Sequence, residues 1–334
     1  PALLFVCLLA AYFEAVWLLR EREWVVRCSV ASVISATLVS LYGVFQYVTG
    51  SSVMAEAWVD SEMFTSISGR AISTLENPNM LGEYLILLIP LAVGMFVGCG
   101  EGMRRIPALF CLGCMGVCLL IMLENHFSCM IIMFLIGMSV MFVGGARKLW
   151  FGIGGASVGV LLVFAISLSS YARERVDVFL HPENYSAQDE VWQTLQGLYA
   201  IGSGGLLGVG LGNSRQKHMF VSEPQNDFIF SIICEELGMV GALAVIALFI
   251  LFVWRGLVVS MRAPNTYSKL VAFGITAKVA IQAVLNMGVV TGVLPNTGIS
   301  LPFFSYGGTS LVVLLIEMGV LLAISRYSYE QNVT

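Results

Sequence analysis

Residues 193–238 read QTLQGLYAIGSGGLLGVGLGNSRQKHMFVSEPQNDFIFSIICEELG. The fold predicted for this chain depends mainly on this stretch. A glycine-rich segment leads into a short basic cluster, Arg215 and Lys217. A polar run follows and ends at Asp227, where a long apolar run begins. An apolar run of this kind is typical of a membrane helix. The pattern therefore places one carboxylate at a membrane boundary, close in sequence to two cations.

The composition is that of a protein that lies mostly in a membrane. Hydrophobic residues make up 58% of the 334 residues and charged residues 11%, whereas soluble domains carry about 25% charged residues. The net charge of -4 says little, because the distribution of charge matters more than its sum. The eight cysteines lie in apolar runs or at their edges, which argues against a disulfide scaffold.

Apolar runs and their flanks predict an all-α, polytopic transmembrane helix bundle that forms a single integral membrane domain over residues 1–334. Because the chain begins at Pro1 inside an apolar run, we expect it to be a fragment, with ten spans in the intact protein. Lys and Arg fall in alternate short loops, and the positive-inside rule makes those loops cytoplasmic. The nine predicted spans are 1–19, 25–48, 79–98, 106–123, 129–145, 149–170, 228–254, 266–290 and 305–325.

Residues 171–227 then form a long extracytoplasmic loop. Within it, Val191, Leu195, Leu198 and Tyr199 recur at helical spacing, and Ser186 or Asp189 is available as an N-cap. We expect an amphipathic helix at the membrane interface. Two roles stay open for it, a lid packed on the bundle and a guide for substrate.

Two charged groups lie in the interior of predicted spans. Lys278 and Glu317 are each about 12 residues from the outer end of their helices, so at ~1.5 Å per residue they lie at similar depth. A charge at that depth is costly unless it has a partner, and we therefore predict that the two pair. Glu235 and Glu236 lie about two turns into the helix that follows Asp227, and we expect them to face the bundle interior as structural support.

Other motifs have simpler explanations. Cys111-x-x-Cys114 lies in an apolar run with no histidine nearby, which favours apolar packing over a metal site. The glycines of 202–212 follow no strand, so they are not a dinucleotide fingerprint. We also expect no nucleic-acid partner. Prolines and glycines in LPNTGISLPFFSYGG, residues 294–308, break helical structure where a cavity is lined, which makes this loop a candidate wall of a lipid groove.

Three blocks of the second half resemble the SEDS family (shape, elongation, division and sporulation), which includes FtsW, RodA and SpoVE. The first is QTLQGLYAIGSGGLLGVGLGNSRQK, the second SEPQNDFIFSIICEELGMVGA, and the third NMGVVTGVLPNTGISLPFFSYGGTSLV. Their order and their positions at helix ends match the family. The resemblance covers about Arg175 to Arg326.

The resemblance implies a peptidoglycan glycosyltransferase of the bacterial cytoplasmic membrane. Such an enzyme joins lipid II disaccharides into β-1,4 glycan on the outer face, with inversion, and works with a class B penicillin-binding protein and surrounding membrane lipids. Asp227 falls on the catalytic base, although a carboxylate here also suits a helix N-cap. Lys217 and Glu223 match family positions, and Arg215 is an added cation.

Each of these substrate-binding candidates has a second interpretation. Lys217 and Arg215 would bind the diphosphate of the donor, or anchor the chain to lipid headgroups. Glu223 would orient a cation, or is a solvated loop charge. A Mg²⁺ ion between Asp227, Glu223 and diphosphate is conceivable, but the sequence shows no dedicated metal site.

The first half departs from this pattern. GRAISTLENPNMLGEYLILLIPLA, residues 69–92, is similar to a motif of O-antigen ligase and polymerase proteins, and its Arg70 would bind a second lipid diphosphate or cap a helix. The alternatives are therefore a ligase or polymerase of another polyprenyl-diphosphate-linked glycan, and a non-catalytic lipid II transporter or scaffold.

Overall fold

A computed structural model describes residues 22–49, 73–75, 78–98, 127–149, 170–185, 191–217 and 225–333, with a few isolated positions between them. This part of the chain contains α-helices and one short 3₁₀ turn, Pro182–Asn184, and no strand. The α-helices are α1 (Arg22–Thr49), α2 (Pro78–Gly98), α3 (Phe127–Val143), α4 (Ser170–Leu180), α5 (Trp192–Gly204), α6 (Ile229–Met261), α7 (Thr266–Val290) and α8 (Gly308–Val333).

Four of these helices contain segments long and apolar enough to cross a membrane: Val26–Thr49, Ile229–Met261, Thr266–Val290 and Ser310–Tyr327. Helices α2 and α3 contain shorter apolar segments. The predicted spans 25–48, 79–98, 129–145, 228–254, 266–290 and 305–325 correspond to α1, α2, α3, α6, α7 and α8, so the all-α polytopic fold is confirmed. Spans 1–19, 106–123 and 149–170 lie largely outside the described residues.

Helix α7 is the centre of the bundle because both of its faces are buried. On one face Leu270 and Ile275 pack with α2 and α3, where Leu85 and Ile132 are fully buried. On the other face Val279, Ala283 and Val290 pack with apolar side chains of α6. Gly274 lies against Pro90 of α2, where a Cβ would collide with the proline ring, and such small residues let membrane helices approach closely.

The outer surface of α6 is apolar. Leu248, Ile250, Leu251 and Trp254 are each more than half exposed. A stripe of this kind is unfavourable in water but is in its proper solvent in a bilayer. The exposed apolar face therefore agrees with the membrane assignment made from composition.

Helix α6 is interrupted at Gly238, whose φ of 67° and ψ of -165° are not helical. The break releases backbone groups on both sides, and the segment Gly205–Lys217, here termed the glycine loop, binds them. Met239 N–H donates to Gly205 O at 2.9 Å, and Val209 N–H donates to Glu235 O at 2.9 Å. The interruption is possible inside a membrane span because the glycine loop satisfies the freed groups.

Helix α5 packs on α6 just before this loop. Gly197 lies against the ring of Phe228, and Gly204 lies against the backbone of Cys234. Tyr199 remains 57% exposed on the opposite side of α5. The predicted helix is therefore present and packs on the bundle. Its N-cap is Val191, and the two residues proposed as its cap, Ser186 and Asp189, lie outside the described residues.

Candidate active site

Two adjacent glutamates of α6 hold the polar end of the glycine loop. The Glu235 carboxylate, which is 1% exposed, accepts hydrogen bonds from Ser214 Oγ at 2.5 Å and from Arg215 N at 3.0 Å. The Glu236 carboxylate accepts from Gly212 N at 2.9 Å and from Ser214 N at 3.3 Å. Glu235 and Glu236 thus have the structural role expected of them, and that role is to hold the glycine loop, which contains the basic cluster.

The same carboxylates position the two cations differently. Lys217 Nζ donates to Glu236 Oε1 at 2.7 Å and to the Gly212 carbonyl at 2.6 Å. An ammonium group has three donors, so this geometry leaves one N–H of Lys217 for another acceptor. Arg215 is fixed through its backbone N–H, while the residue as a whole is exposed.

Asp227 lies just before the N-terminal segment of α6, which runs from Ile229 to the break at Gly238. The helix begins at Ile229 with Phe228 as its N-cap, and no side chain caps it there. Asp227 therefore precedes the cap position, and the interpretation of this residue as the N-cap is wrong. The residue is half-buried, and its Oδ2 lies 3.9 Å from where a Cβ on Gly298 would stand.

The α7–α8 loop (residues 291–307) is fastened to the α6 lead-in (residues 225–228) by side chains. Asn286 Nδ2 donates to Asp227 O at 2.7 Å and to Ile299 O at 2.7 Å. Ser305 Oγ donates to Asn226 O at 2.6 Å and accepts from Leu301 N at 2.6 Å. These bonds hold the loop beside the Asp227 carboxylate.

A third bond between the two segments is made by the backbone alone. Tyr306 N–H donates to the carbonyl of Gln225 at 2.8 Å. The α6 lead-in is therefore bound to the α7–α8 loop at successive positions, and not through a single contact.

The basic cluster and Asp227 lie at different levels of the same helix. Glu235 is six residues beyond Ile229, where α6 begins two residues after Asp227, and at ~1.5 Å per residue these six residues span about 9 Å along the helix. The Asp227 end of α6 leads to the loops, whereas Glu235 lies deeper in the span. Glu235 and Glu236, which bind the basic end of the glycine loop, therefore lie further along the span than Asp227.

Below Asn286, α7 continues as a polar stripe. Gln282 and Lys278 follow at intervals of four residues, so the three side chains share one face, and all three are buried. Lys278 and Gln282 line a pocket together with Ser300 and Phe303 of the α7–α8 loop. Lys278 Nζ forms an ion pair with Glu317 of α8, which confirms the pairing expected from their depths.

Two predicted substrate-binding residues, Arg70 and Glu223, lie outside the described residues. Among the residues that are described, no group of three His, Cys, Asp or Glu side chains is arranged to hold a metal ion. Sequence reasoning did not find Asn286 or Ser305. An asparagine near the end of a predicted span was the signal available for Asn286, because a buried amide needs partners.

The helix bundle defines the class of this protein, which is a polytopic helical membrane protein. Its polar site lies where the loops meet the N-terminal end of α6. The family of cell cycle proteins that comprises FtsW, RodA and SpoVE matches residues 100–330. The chain belongs to this family, the SEDS proteins expected from the three sequence blocks.

Curated relatives match a little over half of this chain. Stage V sporulation protein E of Bacillus subtilis is 46% identical over 192 residues, which cover 57% of this chain and 51% of that protein. The probable peptidoglycan glycosyltransferase FtsW of Trichlorobacter lovleyi is 40% identical over 190 residues, 56% of this chain and 49% of that protein. The chain thus spans about half the length of the curated relatives it matches.

Solved structures show the same fold. A chain of a peptidoglycan synthase complex matches with a TM-score of 0.66 and 23% identity, covering 99% of this chain and 91% of the other. The rod shape determining protein RodA of Thermus thermophilus matches with a TM-score of 0.58 and 22% identity, covering 97% of this chain and 87% of the other. Fold, family and apolar helices place this protein in the bacterial cytoplasmic membrane as a multi-pass protein.

Proposed function

We propose that this protein polymerises peptidoglycan by joining lipid II disaccharides into β-1,4 glycan on the outer face of the membrane. Relatives described as probable peptidoglycan glycosyltransferases support this class of reaction. The observation that carries the proposal is the placement of Asp227, whose carboxylate lies beside the α7–α8 loop, about two helical turns above a basic cluster.

Asp227 acts as the general base in this proposal. It accepts the proton of the acceptor 4-hydroxyl while that oxygen bonds to the anomeric carbon of the donor sugar. The bond from this carbon to the diphosphate oxygen breaks, and the lipid diphosphate leaves with the electron pair. A single displacement inverts the anomeric centre. A base placed in this way typically contributes ~10²–10⁴ to the rate.

The order of charges along α6 fits the order of groups in such a donor. The polyprenyl chain lies in the hydrocarbon, the diphosphate lies at the headgroup level, and the sugars extend outward. Arg215 and the remaining N–H of Lys217 would bind the diphosphate at the lower level. Asp227 lies further out, where the acceptor hydroxyl meets the sugar.

Glu223 and Arg70 complete the proposed substrate contacts, Glu223 by orienting a cation and Arg70 by binding a second lipid diphosphate. A Mg²⁺ ion between Asp227, Glu223 and the diphosphate stays a proposal, because Mg²⁺ is usually held by one or two carboxylates together with substrate phosphates. The steps assigned to Asp227 do not depend on this ion.

A class B penicillin-binding protein is the proposed partner. Support comes from the fold shared with a chain of a peptidoglycan synthase complex in which polymerisation and crosslinking are coordinated. Such a partner would crosslink the glycan that this protein makes.

The test of the reaction class is a polymerisation assay with the full-length protein in liposomes, with and without a cognate class B penicillin-binding protein. Lipid II and a polyprenyl-diphosphate O-antigen unit are supplied in separate reactions. The expected result is glycan in the reactions with lipid II and none in the reactions with the O-antigen unit. Polymer made only from the O-antigen unit would overturn the peptidoglycan assignment in favour of a ligase or polymerase of another glycan. No polymer from either would favour a transporter or scaffold.

A further inference from the structure

We propose that Asn286 is a positioning residue for the general base, because one buried amide group sets the spacing between Asp227 and the loop that faces it. The inference rests on the proposed function of Asp227. Asn286 itself does not touch the reacting atoms, and its effect is exerted through the backbone of Asp227.

The Asn286 amide is buried and bonds to two segments at once. Asn286 is 1% exposed in the last turns of α7. Its Nδ2 uses both hydrogens on carbonyls of two different segments, Asp227 O at 2.7 Å and Ile299 O at 2.7 Å. A primary amide offers two donors on one planar nitrogen, so the angle and distance between these two carbonyls are fixed together.

The two carbonyls lie on either side of the space beside the Asp227 carboxylate. One belongs to Asp227 itself, so the backbone that carries the carboxylate is tied to the central helix of the bundle. The other belongs to Ile299, next to Gly298, whose φ is 64° and which faces Asp227 Oδ2 without a side chain. A side chain at residue 298 would occupy the space beside the carboxylate. Asn286 thus holds both walls of that space.

Other bonds between the two segments make the positioning role of Asn286 separable from general stability. Ser305 and the backbone N–H of Tyr306 join the same two segments through Asn226 and Gln225. Loss of Asn286 therefore leaves the two segments attached and removes only the bonds from its amide to the carbonyls of Asp227 and Ile299. Asn286 Oδ1 is buried and has no hydrogen-bond partner among the described residues, an arrangement that favours a role for the two donors over a role for the whole amide.

The experiment compares Asn286→Ala, Asn286→Ser and Ser305→Ala in the full-length protein in liposomes. For each variant, kcat and KM for lipid II polymerisation and the midpoint of thermal unfolding are measured. Misplacement of a catalytic group by 1 Å can cost about 10²-fold in rate. We expect Asn286→Ala to lower kcat by about that factor with KM within about threefold. Asn286→Ser keeps a donor, but its shorter side chain does not reach either carbonyl, so its kcat should be as low as that of Asn286→Ala.

A double-mutant cycle with Asp227→Asn gives the decisive comparison, since residues that act as a unit are non-additive. If Asn286 acts through Asp227, then Asn286→Ala causes no further loss in the Asp227→Asn background. A full additional loss in that background, or equal losses of kcat and stability in Asn286→Ala and Ser305→Ala, would overturn the positioning role. Wild-type activity of Asp227→Asn alone is a separate result that overturns the proposed function.

Discussion

Lys217 Nζ and Glu236 Oε1 lie 2.7 Å apart, and this pair joins the basic end of the glycine loop to α6. Glu236 also receives the backbone N–H groups of Gly212 and Ser214. The carboxylate is therefore an internal anion bound by a glycine-rich turn and a lysine, an arrangement often used for phosphate. Here the backbone donors are already satisfied by the protein.

Replacement of Glu236 by Gln should loosen the glycine loop, because an amide has one acceptor oxygen where the carboxylate has two. Hydrogen bonds to charged groups contribute about 1.5–3 kcal/mol each. We expect faster amide hydrogen exchange at Gly212 and Ser214. Glu183→Gln is the matched control, since its side chain is 66% exposed. Equal exchange in the wild type and Glu236→Gln would contradict this account of the loop.

Removing one charge of the Lys278–Glu317 ion pair should destabilise the protein more than removing both. Removing one partner of a buried pair leaves an uncompensated charge and costs roughly 3–5 kcal/mol, whereas replacing both is often close to neutral. Lys278→Met should therefore lower the free energy of unfolding by about that amount, and the double variant Lys278→Met/Glu317→Leu should recover most of it. Denaturant unfolding in detergent measures both.

Lys269→Met is the control for this cycle, because Lys269 lies on the same helix but is only half-buried. Its effect on the free energy of unfolding should be small. A double variant as unstable as Lys278→Met would show that the two charges do not compensate each other.

Gly238 should tolerate no side chain. Its φ and ψ lie in a region that costs other residues about 1–3 kcal/mol, and a Cβ would overlap the backbone of Leu206 and Gly208. Gly238→Ala should therefore lower the thermal midpoint strongly. Gly202→Ala, on an open helical face with nothing within 4 Å, should leave the midpoint equal or slightly higher. Similar midpoints for both variants would argue against the helix break.

Arg215 should contribute to donor binding more than to the chemical step. Loss of one charge-assisted contact of about 1.5–3 kcal/mol predicts that Arg215→Gln raises KM for lipid II by about tenfold or more, with a smaller change in kcat. Arg262→Gln, just beyond the opposite end of α6, serves as the control. An unchanged KM in Arg215→Gln would remove Arg215 from the substrate site.

The spans were predictable where apolar runs have clear boundaries. Helix α7 matches its predicted range of 266–290, because Asn265 accepts a hydrogen bond from Ser268 N and caps the helix. Helix α6 continues to Met261, past the predicted residue 254, since the apolar sequence resumes after Arg255. The pairing of Lys278 with Glu317 followed from depth alone, because two buried charges have few other partners.

The contacts that build the site could not be predicted from the sequence. The hydrogen bonds from the glycine loop to Glu235 and Glu236 depend on the helix break at Gly238, and a single glycine in an apolar run does not reveal its φ. The role of Asn286 depends on two carbonyls distant in sequence, Asp227 and Ile299. Contacts of this kind arise from tertiary packing, which local periodicity does not encode.

The central claim is that Asp227 removes the proton of the acceptor hydroxyl. The most direct measurement is the rate of glycan formation from saturating lipid II by Asp227→Asn, with lipid II affinity measured on the same preparation and Glu183→Gln as the control carboxylate. Asparagine has nearly the same shape as aspartate but cannot accept the proton. The account predicts unchanged lipid II affinity and a rate lower by about 10²–10⁴. Glycan formation at the wild-type rate in Asp227→Asn would contradict it.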